Sequence, residues 1–157
     1  MIVVADTSPL RYLILIGHAD LLPRIYGEVV ISQAVLDELT HVNAPPAVQS
    51  FVSSRPAWMK LRHLIKPVES ILTAYLDLGE SESIQLAEQL NANLMLIDER
   101  KGRMVAKQRG LNVIGTLGVL TQAEKHGWID LDVALEKLQD EGFRLSPILI
   151  DKRFRRD

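Results

Sequence analysis

Two apolar runs in this chain end abruptly in a carboxylate: MIVVADTSPL at Asp6 and LMLIDERKGR at Asp98. Unbroken runs of this kind read as strands buried on both faces. In open parallel sheets, ligands bind beyond the carboxyl ends of such strands. Two glutamates can join the aspartates. In the helix expected over QAVLDELTH, Val35, Leu36 and Leu39 form the buried stripe. At about 100° per residue, Glu38 falls about 60° from Val35, on the edge of that stripe, while Asp37 points to solvent. In ESESIQLAEQL, Glu80 shares a face with Ile84 and Ala87, and Glu82 is turned about 160° away. Four acids facing one cleft are unstable without positive charge, and at least one should titrate above its free value when no cation is present. Oxygen-only ligation points to a hard cation, Mg2+ or Mn2+. Such ions polarise phosphoryl oxygens and activate water for in-line displacement.

Each acid also has a plainer reading. Taken singly, Asp98 and Glu80 are helix caps or dipole partners, and Glu38 is a solvated flank residue. Asp6 is less easily a cap, because Ser8 and Pro9 already supply a capping hydroxyl and a proline at the first helical position. Convergence of four segments favours a site over four separate caps. Behind Asp98 stand Arg100, Lys101 and Arg103, followed by Lys107 and Arg109. The first three are placed to meet the phosphates of a polyanion brought to the acids; the alternative is a solvated helix face. A second basic run, KRFRR, lies at 152–156.

The elements that must position these residues follow from the rest of the chain. Its 157 residues suit one domain, 1–157, with one sizeable core. Strands are expected at 2–5, 28–32, 58–64, 94–98 and 112–115. Between them, helices start at Ser8–Pro9 and at Ser32, and a short one surrounds AVQSFV after the NAPP break. SILTAYLDLG reads as a helix closed by Gly79, followed by a second helix over 80–90. ERKGRMVAKQRG reads as a helix ending at Gly110, and further helices are expected at 117–126, 131–141 and after Pro147. Apolar strands alternating with helices imply a three-layer α/β/α fold with a central, mainly parallel sheet.

Composition excludes several classes. There is no cysteine, so disulfides, thiolate zinc sites and cysteine nucleophiles are ruled out, which fits a cytoplasmic protein. MIVVAD lacks a basic start, and LRYLILIG is too short to span a membrane. The net charge is −2, so contact with nucleic acid must be local rather than a general basic coat. GxGxxG and GxxxxGK[ST] motifs are absent, and GTLGVL is too short a signal for a phosphate loop. The four histidines show no ligand spacing.

VVADTSPL, ISQAVLDEL and, most densely, LGESESIQLAEQLNANLMLIDERKGRMVAKQRGLNVIGTLGVL resemble the PIN-domain nucleases, within them the branch close to VapC toxins. The resemblance covers nearly the whole chain. It places the family's four acids on Asp6, Glu38, Glu80 and Asp98. Glu80 is chosen because the third acid lies seven residues before a small helix residue, here Ala87, and eighteen before the strand-end acid. The third acid is usually Asp, and a hydroxyl or amide often precedes the fourth, where this chain has Ile97. The resemblance implies Mg2+- or Mn2+-dependent endonucleolytic cleavage of RNA by two-metal in-line hydrolysis that leaves a 5′-phosphate. It also implies a homodimer and a cognate antitoxin that blocks the site. A reading of another class stays open, a PIN-fold binding or scaffold protein with a weak or inactive site.

Overall fold

A computed structural model describes residues 1–146. Five strands form one parallel sheet: β1 (Val3–Ala5), β2 (Val29–Ile31), β3 (Met59–Leu61), β4 (Leu94–Leu96) and β5 (Val113–Ile114), in the order β3-β2-β1-β4-β5. All five lie where the apolar runs predict them. The chain builds outward from β1 through β2 to β3, then returns to the other side of β1 for β4 and β5. The order therefore reverses between β1 and β4, the position where parallel sheets open a crevice. Ala5 pairs with Leu96, and the Asp6 N–H donates to the Leu96 carbonyl at 2.9 Å. This register brings Asp6 and Asp98 to the same edge of that crevice.

Helices cover both faces. Around Val3, Ala5, Val29, Ile31 and Leu96 pack α1 (Thr7–Leu15), α2 (Leu21–Tyr26), α3 (Gln33–Leu39), α4 (Pro46–Ser53), α8 (Thr116–Lys125) and α9 (Leu131–Asp140). Around Val4, Met95 and Ile97 pack α5 (Ser70–Thr73), α6 (Leu78–Gln89) and α7 (Arg100–Gln108). Alternate strand residues thus feed opposite cores, which is why the runs are apolar throughout. No helix among the described residues is long and apolar enough to cross a membrane.

Two helix boundaries differ from the sequence reading. The first helix begins at Thr7, with Asp6 in the N-cap position, so Pro9 is its third residue. Ser8 does not cap it; its hydroxyl donates to Asp98. Gly79 does not close a helix. The segment before it is the single turn α5, and Asp77 restarts the chain as the N-cap of α6, with Gly79 in that helix's first turn. Asp77 accepts from the Glu80 N–H at 2.7 Å, and Glu80 accepts from the Asp77 N–H at 3.2 Å. That reciprocal capping box starts the helix more firmly than a glycine can stop one. The helix expected after Pro147 and the KRFRR run lie outside the described residues.

The faces of α6 give a stability test. Ile84 is fully buried and Leu78 is 50% exposed. Ile84→Ala is expected to cost about 2–5 kcal/mol in urea unfolding, and Leu78→Ala to stay within about 0.5 kcal/mol. Equal losses would show that the assigned face of α6 is wrong.

Candidate active site

Asp6, Glu38, Glu80 and Asp98 line one cleft of about 680 Å³, with Asp77 and Glu99 beside them and Arg11, Arg100, Lys101 and Arg144 among its other walls. The convergence expected from the sequence is present. Asp37 points to solvent, while Glu38 is half-buried.

The acids divide into two pairs. Asp6 and Glu80 are buried, at 5% and 6% exposure. Asp6 Oδ1 and Glu80 Oε2 have no hydrogen-bond partner among the described residues. Burial pushes the Asp6 carboxyl up to about 8; the Thr7 N–H opposes the shift, and the charges of Glu80, Asp77 and Glu38 add to it. Burial, then the charge of Asp77, pushes Glu80 up to about 7, against the pull of the Asp77 N–H. Glu38 and Asp98 are tied down instead. The Thr7 hydroxyl donates to Glu38 Oε2. Burial raises the Glu38 carboxyl above its ordinary value, and the Thr7 bond counters part of that rise. Asp98 Oδ1 accepts from the Thr116 N–H at 2.7 Å. Its Oδ2 accepts from the Thr116 hydroxyl at 2.7 Å and the Ser8 hydroxyl at 3.0 Å. Asp98 therefore holds the start of α8, across the sheet edge, rather than capping the helix that follows it in sequence.

Glycines let the backbone meet these carboxylates. A Cβ on Gly79 would stand 2.6 Å from Glu38 Oε1, one on Gly102 2.9 Å from Glu80 Oε2, and one on Gly115 2.8 Å from Asp98 Oδ1. Any side chain at these positions would push an acid from its place.

The basic stretch splits along α7. Arg100 and Lys101 are exposed and line the cleft. Both sit in the first turn of a helix, where the macrodipole disfavours cations; a bound anion offsets that cost. Arg103 is half-buried and donates to the Ile97 carbonyl at 3.3 Å. Lys107 and Arg109 lie at the far end of the helix, and Arg109 pairs with Glu69 and Glu88. Glu82, turned away from the acids, accepts from the Ala34 N–H at 3.0 Å and so supports the start of α3.

Sequence reasoning missed Asp77, Thr7 and Thr116. The D-x-x-E spacing of Asp77 and Glu80 is a capping-box signature and was available. Thr116 lies 18 residues from Asp98, and no local pattern links them.

The donor set suits a hard divalent cation: oxygen atoms only, two of them buried without a partner among the described residues. In their present rotamers, no three acids or histidines among the described residues are grouped to hold an ion. Glu38 and Asp98 spend oxygens on hydroxyl partners, so closing a ligand shell takes side-chain rotation.

A buried acid with a raised folded value stabilises the protein below its unfolded value, and that contribution is lost as pH rises through the folded one. For Asp6 the window runs from 3.8 to about 8. In chelator-treated protein, Asp6→Asn is expected to melt higher than wild type at pH 8, with the difference shrinking toward pH 4. Each kcal/mol moves the melt by about 2–4 °C. A difference independent of pH would contradict the assignment. Thr116→Val removes one charge-assisted bond and is expected to cost about 1.5–3 kcal/mol in urea unfolding; no loss would mean that the Thr116–Asp98 bond carries nothing.

The fold has relatives of known structure. A PilT N-terminus domain protein from the hyperthermophilic archaeon Sulfolobus solfataricus P2 superposes with a TM-score of 0.57 at 23% identity, over 78% of this chain and 93% of that one. No curated protein matches this chain. The family model DUF3368, described as a PIN domain, matches residues 2–156. PIN domains are in general nucleases that use divalent metals. The chain belongs to the PIN-domain family.

Proposed function

We propose that this PIN domain is a metal-dependent endoribonuclease. The observation that carries the reading is the pair of buried carboxylate oxygens, Asp6 Oδ1 and Glu80 Oε2, without a partner among the described residues in a cleft that also holds Glu38 and Asp98. Asp6 and Glu80 would hold the metal, and Glu38 and Asp98 would complete the ligand set. A pair of Mg2+ or Mn2+ ions bound there supplies polarisation of the phosphoryl oxygens and activation of water for in-line hydrolysis. The hydroxyls of Thr7, Ser8 and Thr116 orient Glu38 and Asp98. Arg100 and Lys101 contact flanking phosphates, and Arg103 supports the loop under Asp98 and adds charge there. Their neutralisation should weaken RNA binding evenly across sequences and flatten its salt dependence.

The fuller form of the proposal is a cytoplasmic toxin, a homodimer held silent by an antitoxin. A Lys or Arg of that partner, inserted among the acids, would replace the cation at low cost. One observation favours the second reading, a binding protein with a weak metal site: Glu38 and Asp98 are already engaged by hydroxyls.

Both readings meet in one assay. Purified protein is incubated with a mixed RNA pool and Mn2+ or Mg2+, beside Asp6→Asn, Glu38→Gln, Glu80→Gln, Asp98→Asn and Glu82→Gln. Each of the first four is expected to lower the rate by roughly 10² or more, and Glu82→Gln to leave it near wild type. No cleavage by wild type, or equal cleavage by Asp6→Asn, leaves the binding reading. Loss in Glu82→Gln but not in Glu80→Gln would overturn the choice of third acid.

Ligand carboxylates must lose their protons to bind metal. With Asp6 raised to about 8 and Glu80 to about 7, the activity at limiting Mn2+ is expected to rise between about pH 6 and pH 8. Saturating Mn2+ should shift that rise to lower pH. A profile unmoved by metal concentration would contradict the ligand roles of Asp6 and Glu80.

A further inference from the structure

Beside the acidic cleft lies a second pocket of about 550 Å³, bounded by α1, α3, the loop after α3 and α4. Thr7, Arg11 and Glu38 line both spaces. Among the described residues, Arg11 is the one Lys or Arg in the wall of the second pocket, and its Nε is buried with no hydrogen-bond partner among them. Its guanidinium lies 5.3 Å from the Tyr12 ring centroid and makes no ion pair with another described residue. A guanidinium presents five donors in a fork that matches a phosphate. A buried charged donor without a partner is costly, and an anion arriving from the cleft would satisfy it.

Another part of the wall is a loop held by its own hydrogen bonds. Gln49 Nε2 donates to the carbonyls of Val42 at 3.2 Å and Ala44 at 2.6 Å. The Ala44 N–H returns to the His41 carbonyl at 2.9 Å. The Asn43 N–H donates to His41 Nδ1 at 3.0 Å. That last bond makes Nδ1 an acceptor, so in the neutral ring Nε2 carries the proton and is a donor. The Asn43 amide adds a donor and an acceptor, and Pro45 and Leu78 supply apolar walls. Asp37 and Glu38 also line the pocket, so the place for a phosphate is at Arg11, while the amide and imidazole donors and the apolar flanks suit a base edge and a base face.

We propose that this pocket binds the nucleotide next to the scissile phosphate, with Arg11 on the phosphate that joins the two and the loop of His41 and Asn43 against the base. The proposal rests on the ribonuclease reading above and names the substrate contacts of that same site. The volume falls within the range of small-ligand pockets. Arg11 acts as a binding residue, so its loss should appear in KM rather than in kcat.

Two measurements separate this proposal from the ribonuclease reading. The first uses an oligoribonucleotide cut at one position, with and without a methylphosphonate at the neighbouring phosphate. Arg11→Gln and the methylphosphonate are each expected to raise KM by about tenfold or more with kcat little changed. Combined, they should cost no more than either alone, and Arg11→Lys should recover part of the loss. The second measurement titrates nucleoside 5′-monophosphates in the absence of divalent metal, followed by amide chemical shifts. Shifts are expected at His41, Asn43 and Ala44 in wild type, with affinity about tenfold lower in Arg11→Gln. RNA cleavage with an unchanged KM in Arg11→Gln and no shifts in the loop would overturn the pocket and leave the nuclease reading intact. Loop shifts lost in Arg11→Gln, in a protein that cuts no RNA, would overturn the nuclease reading and keep the nucleotide pocket. Neither cleavage nor loop shifts would overturn both.

Discussion

The structure depends on one costly placement: the Asp6 carboxyl, buried at the end of the central strand, where the strand order reverses. The parallel register of β1 and β4 sets it in the wall of the cleft with only 5% of its surface exposed, and the backbone of the following helix satisfies only part of it. Glu80 is brought to the same cleft because its own backbone and side chain start α6 together with Asp77. Two carboxylates without full partners in one cleft are unfavourable for folding. Their raised proton affinity is the direct expression of that cost, and a divalent cation is the simplest species that removes it.

The other two acids solve a different problem. Glu38 and Asp98 have partners within the protein, and beside the N–H groups of Gly79 and Thr116 those partners are hydroxyls. A hydroxyl donor can rotate away or accept in turn, so Thr7, Ser8 and Thr116 hold these side chains without neutralising them. The glycines at 79, 102 and 115 serve the same arrangement from the backbone side. Each stands where a Cβ would collide with a carboxylate oxygen. The site is thus shaped as much by missing side chains as by present ones. The cations stand apart from the acids: Arg100 and Lys101 on the cleft wall, and Arg11 at the junction with the second pocket. None forms an ion pair with a described acid, which leaves them available to an anion.

Much of this was legible in the sequence because it is encoded locally. A run such as VVA or LML states its own burial, and the helical angle separates Glu38 from Asp37 and Glu80 from Glu82. Family resemblance and helical geometry reached Glu80 by separate routes. The failures have physical causes as well. Gly79 looked like a helix stop because glycine is common there, yet a capping box two residues earlier overrides it. Ser8 looked like a cap because it precedes a proline, but Asp98, 90 residues away, competes for its hydroxyl. The plainer reading of Asp98, a cap of its own helix, gives way because Asp98 supports the start of α8 instead. Pairings of this kind arise only once the sheet has fixed which strand ends are neighbours.

The raised values of Asp6 and Glu80 imply that a binding cation displaces protons from them. Calorimetric titration of Mn2+ at pH 7, repeated in buffers of different ionisation enthalpy, counts the protons released per ion bound. With Asp6 raised to about 8 and Glu80 to about 7, the expected release in wild type is between about one and two protons. It should fall by most of one in Asp6→Asn. Tight Mn2+ binding with no proton release, or a release unchanged in Asp6→Asn, would contradict the account.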